Sequence, residues 1–283
     1  MYPEKKHLPN KKKMPLRIQR HINQNRKMDS FIHIDITPFE KLRIKTGDPL
    51  FLTRTTIYGI YYICCIGNYL QIVKEQLALI QQSGLLLKTQ TLFCFICQYK
   101  EEIMDLFQPY LSKIHIISTN ENKYEKFALE NFRSYLPSTM YYYLYYFHTK
   151  GVSRDPHKEG VYHERRRNLD FFILEQHDIC MFWLDHQYDA VGTTLSLYPA
   201  VHFSGNFWWT TSRHLARLSP TLRDTYYAPE MYICSYPDGK YISLCQTTND
   251  KTVDEYRLLT KEKILYQSTN IPLKNIGCRH VEF

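Results

Sequence analysis

MYYYLYYFHTKG, residues 140–151, is the stretch that decides the fold. Met140 to Phe147 is an unbroken apolar and aromatic run, and His148-Thr149-Lys150-Gly151 ends it abruptly with polar groups and a turn-permitting glycine. Three earlier runs have the same form. Ile57 to Ile66 ends in Gly67-Asn68, Thr91 to Cys97 is followed by a charged amphipathic segment from Lys100 to Leu111, and Lys113 to Ser118 ends in Thr119-Asn120. Ile72 to Ile80 and Tyr124 to Leu136 carry apolar positions at helical spacing between the runs. Apolar strands alternating with amphipathic helices predict an α/β protein with a mainly parallel, Rossmann-like sheet and helices on both faces.

In open α/β sheets, ligands bind beyond the carboxyl ends of the strands. Gly67 and Asn68, Thr119 and Asn120, and above all His148 to Gly151 are therefore the first candidates for chemistry. If the strand period persists through the turn, His148 and Lys150 point the same way and make a phosphate-binding corner, with Thr149 as a hydroxyl donor and Gly151 as the turn. The alternative is a solvated strand end. Downstream, Arg165, Arg166 and Arg167 read as a solvated helix face, one member of which reaches a diphosphate. Tyr188 to Gly192 (YDAVG) is short and strand-like, with Asp189 at its start.

The most distinctive string is His202 to Trp209, HFSGNFWW, which holds two of the three tryptophans. Gly205 and Asn206 tolerate positive φ, and Trp208 and Trp209 offer wide flat faces. With His202 and Ser204 they make a wall suited to a sugar or a base; a turn with core tryptophans is the competing reading. An amphipathic helix is expected from Thr211 to Leu218. Glu230 is the one carboxylate set in an apolar, aromatic stretch after this string, before a strand-like run. Its flanks are expected to desolvate it and raise its pKa toward the range of a general base.

The 44% apolar fraction describes a globular body, and the net charge of +8 invites a nucleic-acid reading. Residues 1–30, however, carry nine Lys and Arg against two acidic residues, so nearly all the excess lies in one basic segment. That segment lacks an apolar core and reads as a disordered tail, neither a signal peptide nor an anchor. Residues 31–283 read as a single domain, with a nucleotide-binding half at about 55–151 and an acceptor and catalytic half at about 152–283. The segment around Tyr241 and Ile264 reads as periphery. Cys94 and Cys97 form a CxxC with no second pair at zinc-finger spacing, so they are expected to be reduced core thiols of a cytoplasmic protein. No run is long enough to span a bilayer. Walker-type loops, GxGxxG, HExxH and GxSxG are all missing, as is any Asp-x-Asp.

HTKG at 148–151, YDAVG at 188–192 and HFSGNFWW at 202–209, followed by an isolated Glu, resemble a family of glycosyltransferases from bacterial surface-polysaccharide clusters and large DNA viruses of algae. The resemblance covers roughly residues 55–235. It implies a GT-A-like fold and transfer from a nucleotide-diphosphate donor, a UDP-linked pentose such as xylose or a hexose, to a saccharide hydroxyl of a glycan. Glu230 is implied as the base of an inverting reaction. His148-Thr149-Lys150 stands where a metal-binding Asp-x-Asp would, which implies that His148 and Lys150 meet the diphosphate charge with no metal cofactor. Donor contacts are expected from Gly67, Asn68, His148 to Gly151, Asp189 and Arg166, and a pocket from His202, Ser204, Gly205, Asn206, Trp208 and Trp209. The family pattern has Trp-Arg at the helix after HTKG, whereas Arg165-Arg166 stands here. Two other classes fit less of the chain: a non-catalytic nucleotide-sugar-binding module, and a nucleic-acid binder acting through the basic tail. No nucleic-acid partner is expected.

Overall fold

The computed structural model describes residues 55–121, 123–152, 159–245 and 280–281. The basic tail, the boundary near residue 30 and the segment around Ile264 lie outside them.

The four apolar runs are strands β1 (Thr56–Cys64), β2 (Thr89–Cys97), β3 (Ile114–Thr119) and β4 (Tyr142–His148). They lie parallel in the order β3-β2-β1-β4, the order of a Rossmann half. Between them run α1 (Tyr69–Gln82), the single turn α2 (Leu85–Lys88), α3 (Ile103–Phe107) and α4 (Lys126–Asn131). The segments expected to be long helices at 100–111 and 124–136 are shorter, each finishing in a 3-10 turn, at Gln108–Tyr110 and Phe132–Tyr135. Pro109 interrupts the first by removing a backbone donor.

Pairing continues into the second half of the chain. Strands β5 (Ala190–Gly192), β8 (Trp208–Thr211), β9 (Tyr241–Ser243) and β10 (His280–Val281) complete an eight-stranded sheet, β3-β2-β1-β4-β8-β5-β9-β10. Strand β8 is antiparallel to both β4 and β5, while β5 and β9 are parallel to each other. The segment around Tyr241, expected at the periphery, therefore belongs to the central sheet, and Tyr241 is fully buried. A small ribbon of β6 (Leu195–Ser196) and β7 (His202–Phe203) stands beside the sheet.

Strand alternation divides the core in two. Tyr61, Ile63, Cys94, Ile96, Tyr145 and Phe147 face α1, α3 and the helices α5 (Glu159–Asp170) and α6 (His177–Asp185). Ile60, Tyr62, Phe95, Leu144 and Tyr146 face α4, α7 (Ser212–Leu215) and α8 (Ala228–Met231). The expectation of helices on both faces is met. Among the described residues, no helix is long and apolar enough to cross a membrane.

Trp208 and Trp209 overturn the expected sugar wall. Both have no exposed surface. They are consecutive on β8, so the pleat sends one to each face of the sheet. Trp208 stacks on Tyr146 with ring centroids 5.1 Å apart, and Trp209 stacks on Tyr145 at 4.9 Å. Their indole N–H groups are satisfied internally: Trp208 Nε1 donates to Asn206 Oδ1 (2.9 Å) and Trp209 Nε1 to the Ile173 carbonyl (2.7 Å). Ile173 sits in a π-helical turn, Phe171–Glu175, that follows α5 and closes with the Gln176 N–H on the Phe171 carbonyl at 2.9 Å. The helix expected over 211–218 is reduced to α7, capped by Thr211 Oγ1 accepting from the His214 N–H at 3.2 Å. Cys94 and Cys97 are buried free thiols, and burial pushes both upward in pKa.

Candidate functional site

The turns after β1 and β4 meet at the carboxyl edge of the sheet. Gly67 has φ +53°, and a Cβ there would fall 2.6 Å from the Val152 carbonyl, so only glycine lets the two turns close on each other. Asn68 beside it is exposed at the start of α1. Thr149 is buried and stitches the edge: its N–H donates to the Tyr62 carbonyl (3.1 Å), and its hydroxyl accepts from the Cys64 N–H (3.2 Å). Gly151 takes φ +88° against Tyr162.

The Ser204-Gly205-Asn206 turn comes to this edge because β8 runs antiparallel to β4. Gly205 (φ +100°) and Asn206 (φ +55°) both adopt left-handed backbone. His148 Nε2 lies 2.9 Å from the Gly205 carbonyl, while the Gly205 N–H donates to Glu230 Oε1 at 3.4 Å. Lys150 Nζ stands 3.6 Å from the same Glu230 oxygen. Glu230 itself is carried by the short helix α8, not by the lead-in to a strand. His202 is buried, with Nδ1 on the Ala200 carbonyl at 2.8 Å, close enough to act electrostatically on Glu230. The structure thus brings His148, Lys150, His202, Ser204, Gly205, Asn206 and Glu230 together.

Three participants were not anticipated, or were misjudged. Glu125, at the start of α4, accepts from Asn206 Nδ2 (2.5 Å) and from the Tyr146 hydroxyl (3.1 Å), with its other oxygen 3.7 Å from His148 Nε2. It lies beyond the carboxyl end of β3, so the rule that singled out His148 applies to it as well. Arg165 donates to the Ser204 hydroxyl at 2.6 Å. Arg166 is buried, donating to the Lys150 carbonyl (3.1 Å) and pairing with Glu75 (3.3 Å). The arginines are therefore not a solvated face. Arg166 holds the Lys150 backbone in place.

The electrostatics correct two expectations. Burial does push Glu230 upward, as its flanks suggested. Lys150, His202, the Gly205 N–H and Arg165 together outweigh that push, and its pKa lies below the ordinary value. Glu230 is a carboxylate at neutral pH. Burial is also the leading influence on His148, and it lowers the pKa despite the opposing pull of Glu125. His148 is thus a neutral imidazole that fixes the Gly205 turn, and the cationic charge at this edge comes from Lys150 and Arg165. Beneath them, Gln76 links the site to the core, donating to the His148 carbonyl (3.2 Å) and to Asp170 Oδ1 (2.8 Å), and accepting from the Tyr61 hydroxyl (2.7 Å). Burial raises Asp170 to about 7.

Asp189 stands apart from all of these. It precedes β5, whose Ala190 pairs with Thr210, and Thr211 pairs with Tyr143 near the start of β4. Five residues of strand separate that level from His148, roughly 16 Å. There Asp189 is held by Arg217 and by the Lys240 N–H (2.9 Å). It belongs to the opposite edge of the sheet and is not a neighbour of a donor bound at His148-Lys150. Among the described residues, no group of three or more His, Cys, Asp or Glu is placed to hold a metal ion.

A family model described as a domain of unknown function (DUF8361) matches residues 65–253, which include the whole cluster. The chain belongs to the DUF8361 family. No curated protein matches it. Among solved structures, a 4-diphosphocytidyl-2C-methyl-D-erythritol synthase from Anaerococcus prevotii is similar at 12% identity and a TM-score of 0.40, over 75% of this chain and 96% of that one. Rv0371c from Mycobacterium tuberculosis is similar at 12% identity and a TM-score of 0.39, over 73% and 98%. The α/β assignment rests on the strand order of this DUF8361 member itself.

Proposed function

We propose that this DUF8361 protein transfers a sugar from a nucleotide-diphosphate donor to a saccharide hydroxyl, with inversion at the anomeric carbon. The observation that supports this reading is Glu230, ionised, held on the Gly205 N–H and paired with Lys150 at the carboxyl edge of the sheet. In this reading Glu230 takes the proton of the acceptor hydroxyl as its oxygen attacks the anomeric carbon. The bond from that carbon to the phosphate oxygen breaks, and the electron pair leaves with the nucleoside diphosphate. A single placed base needs no covalent intermediate. Lys150 and Arg165 meet the charge on the leaving phosphate, with no divalent ion required.

The ion pair also gives the reaction an order. While Lys150 faces Glu230, it holds the carboxylate at low basicity. A diphosphate that draws Lys150 away removes the largest of the lowering influences, and the Glu230 pKa rises. The base is strengthened once the donor is in place. A thermal-shift and NMR screen against UDP-, GDP- and CDP-sugars, with and without EDTA, tests the reading. Saturable donor binding and turnover in EDTA are the expected results. Absence of binding by every donor, or activity that EDTA abolishes and Mn²⁺ restores, counts against it.

A further inference from the structure

A cavity of about 430 Å³ opens at the other edge of the sheet, within the size range of small-molecule sites. Tyr141 precedes β4, Asp189 precedes β5 and Lys240 precedes β9, so the lining belongs to the amino-terminal ends of the parallel strands. Seven residues of extended chain separate Tyr141 from His148, roughly 23 Å. The cavity is thus distinct from the cluster around Glu230.

Its lining carries three carboxylates, Asp185, Asp189 and Asp238, and three cations, Arg213, Arg217 and Lys240. The formal charges balance, so the lining carries no net charge. Two of the three carboxylates are held by hydrogen bonds. Asp189 accepts from Arg217 and from the Lys240 N–H, and Asp185 accepts from the Tyr143 hydroxyl. An ionised carboxylate has about four acceptor positions, so each retains capacity for further donors. The Arg213 guanidinium lies over the Tyr141 ring at 5.8 Å, and Tyr141 is 45% exposed. Tyr188 adds a second, half-buried ring, fixed edge-on to Trp183 at 5.4 Å.

Carboxylate acceptors and cationic donors around two partly exposed tyrosines, with no net charge, suit a neutral polyhydroxylated ligand: hydroxyls bridge acceptor and donor while C–H groups lie against the rings. We propose that this cavity binds a neutral oligosaccharide, as a site separate from the cluster around Glu230. The proposal does not rest on sugar transfer and stands or falls by binding alone. The test is a ¹H–¹⁵N titration of the full chain with maltotetraose, cellotetraose and xylotetraose. Saturable shifts at the amides of Gln187, Tyr188, Arg213 and Lys240 are expected with at least one of them, unaltered by added salt. Arg213→Ala and Asp238→Asn, both at exposed positions, should each weaken binding about tenfold with melting temperature retained, a change of ~1.4 kcal/mol. Glu230→Gln should leave it untouched. The proposal is overturned if none of the three sugars moves these amides, if both variants bind like wild type, or if only inorganic phosphate binds and salt screens it.

Discussion

The string HFSGNFWW divides into two regions with opposite fates. Ser204 to Asn206 turns at the sheet edge and presents polar groups to Glu230, Arg165 and Glu125. Phe207 to Trp209 passes straight into the sheet and has no exposed surface. An indole face looks equally suited to a sugar or to a core when read as a residue type. What separates the two outcomes is pairing: Trp208 and Trp209 sit between two strands, and a residue in a central strand has only core on either side. A distinctive motif is thus distinctive for two reasons at once, chemistry in its first half and packing in its second.

The sharpest way to break this division is to find that each half does the other's work. Glu230→Gln keeps the shape of the site but removes the base that the Gly205 turn supports, so kcat should fall roughly 10²–10⁴-fold with donor affinity nearly intact; unchanged turnover would remove Glu230 from the reaction. Trp209→Ala should instead cost about 3–5 kcal/mol of stability, read as a lower denaturation midpoint. Were Trp209 a ligand wall, stability would hold and affinity alone would fall.

Lys150→Met sharpens the comparison by pH. Glu230 lies below its ordinary value because Lys150 and three other groups outweigh burial. The acid limb of kcat/KM should therefore lie below the range usual for a glutamate. Removing Lys150 takes away a lowering influence, and the limb should move to higher pH. An unmoved limb would mean that the pair is not felt by the base.

Asp170 tests whether the core beneath the site is tuned for packing alone. Burial raises it to about 7 in the folded state, above its value of about 3.9 in an unfolded chain. Its contribution to stability is fully present below about pH 3.9 and is lost as pH rises to about 7. Asp170→Asn should remove that loss, gaining on the order of 4 kcal/mol at pH 8 relative to pH 4 in urea denaturation. The smallest effect is expected at the end of β8, where Thr211→Ala removes the cap of α7 and costs about 0.5–2 kcal/mol, with no change in activity.

The parallel half was legible because each of its strands is a continuous apolar run bounded by polar turns, a signal carried wholly within the segment. The second half was not. β5, β6, β7 and β9 have two or three residues each, too few to show a period, and their strand character comes from partners far along the chain. Tyr241 looked peripheral for this reason. The site was legible where residues follow a strong strand, as with His148 and Lys150. Glu125 and Asp189 show the limit: one lies at the correct edge and the other at the opposite one, and only strand direction distinguishes them. Charge states were beyond reach as well, because the Glu230 pKa depends on four groups drawn from three separate segments.

The π-helical turn at Phe171–Glu175 has a mechanical consequence. An α-helix advances about 100° per residue, so the turn sets the phase between α5 and the point where Trp209 grips the Ile173 carbonyl. Deleting a single residue from it would rewind the helix to ordinary geometry and swing α5 by about that angle. Arg165 would come off Ser204, and Arg166 off the Lys150 carbonyl. The length of this segment works like the tooth count of a gear.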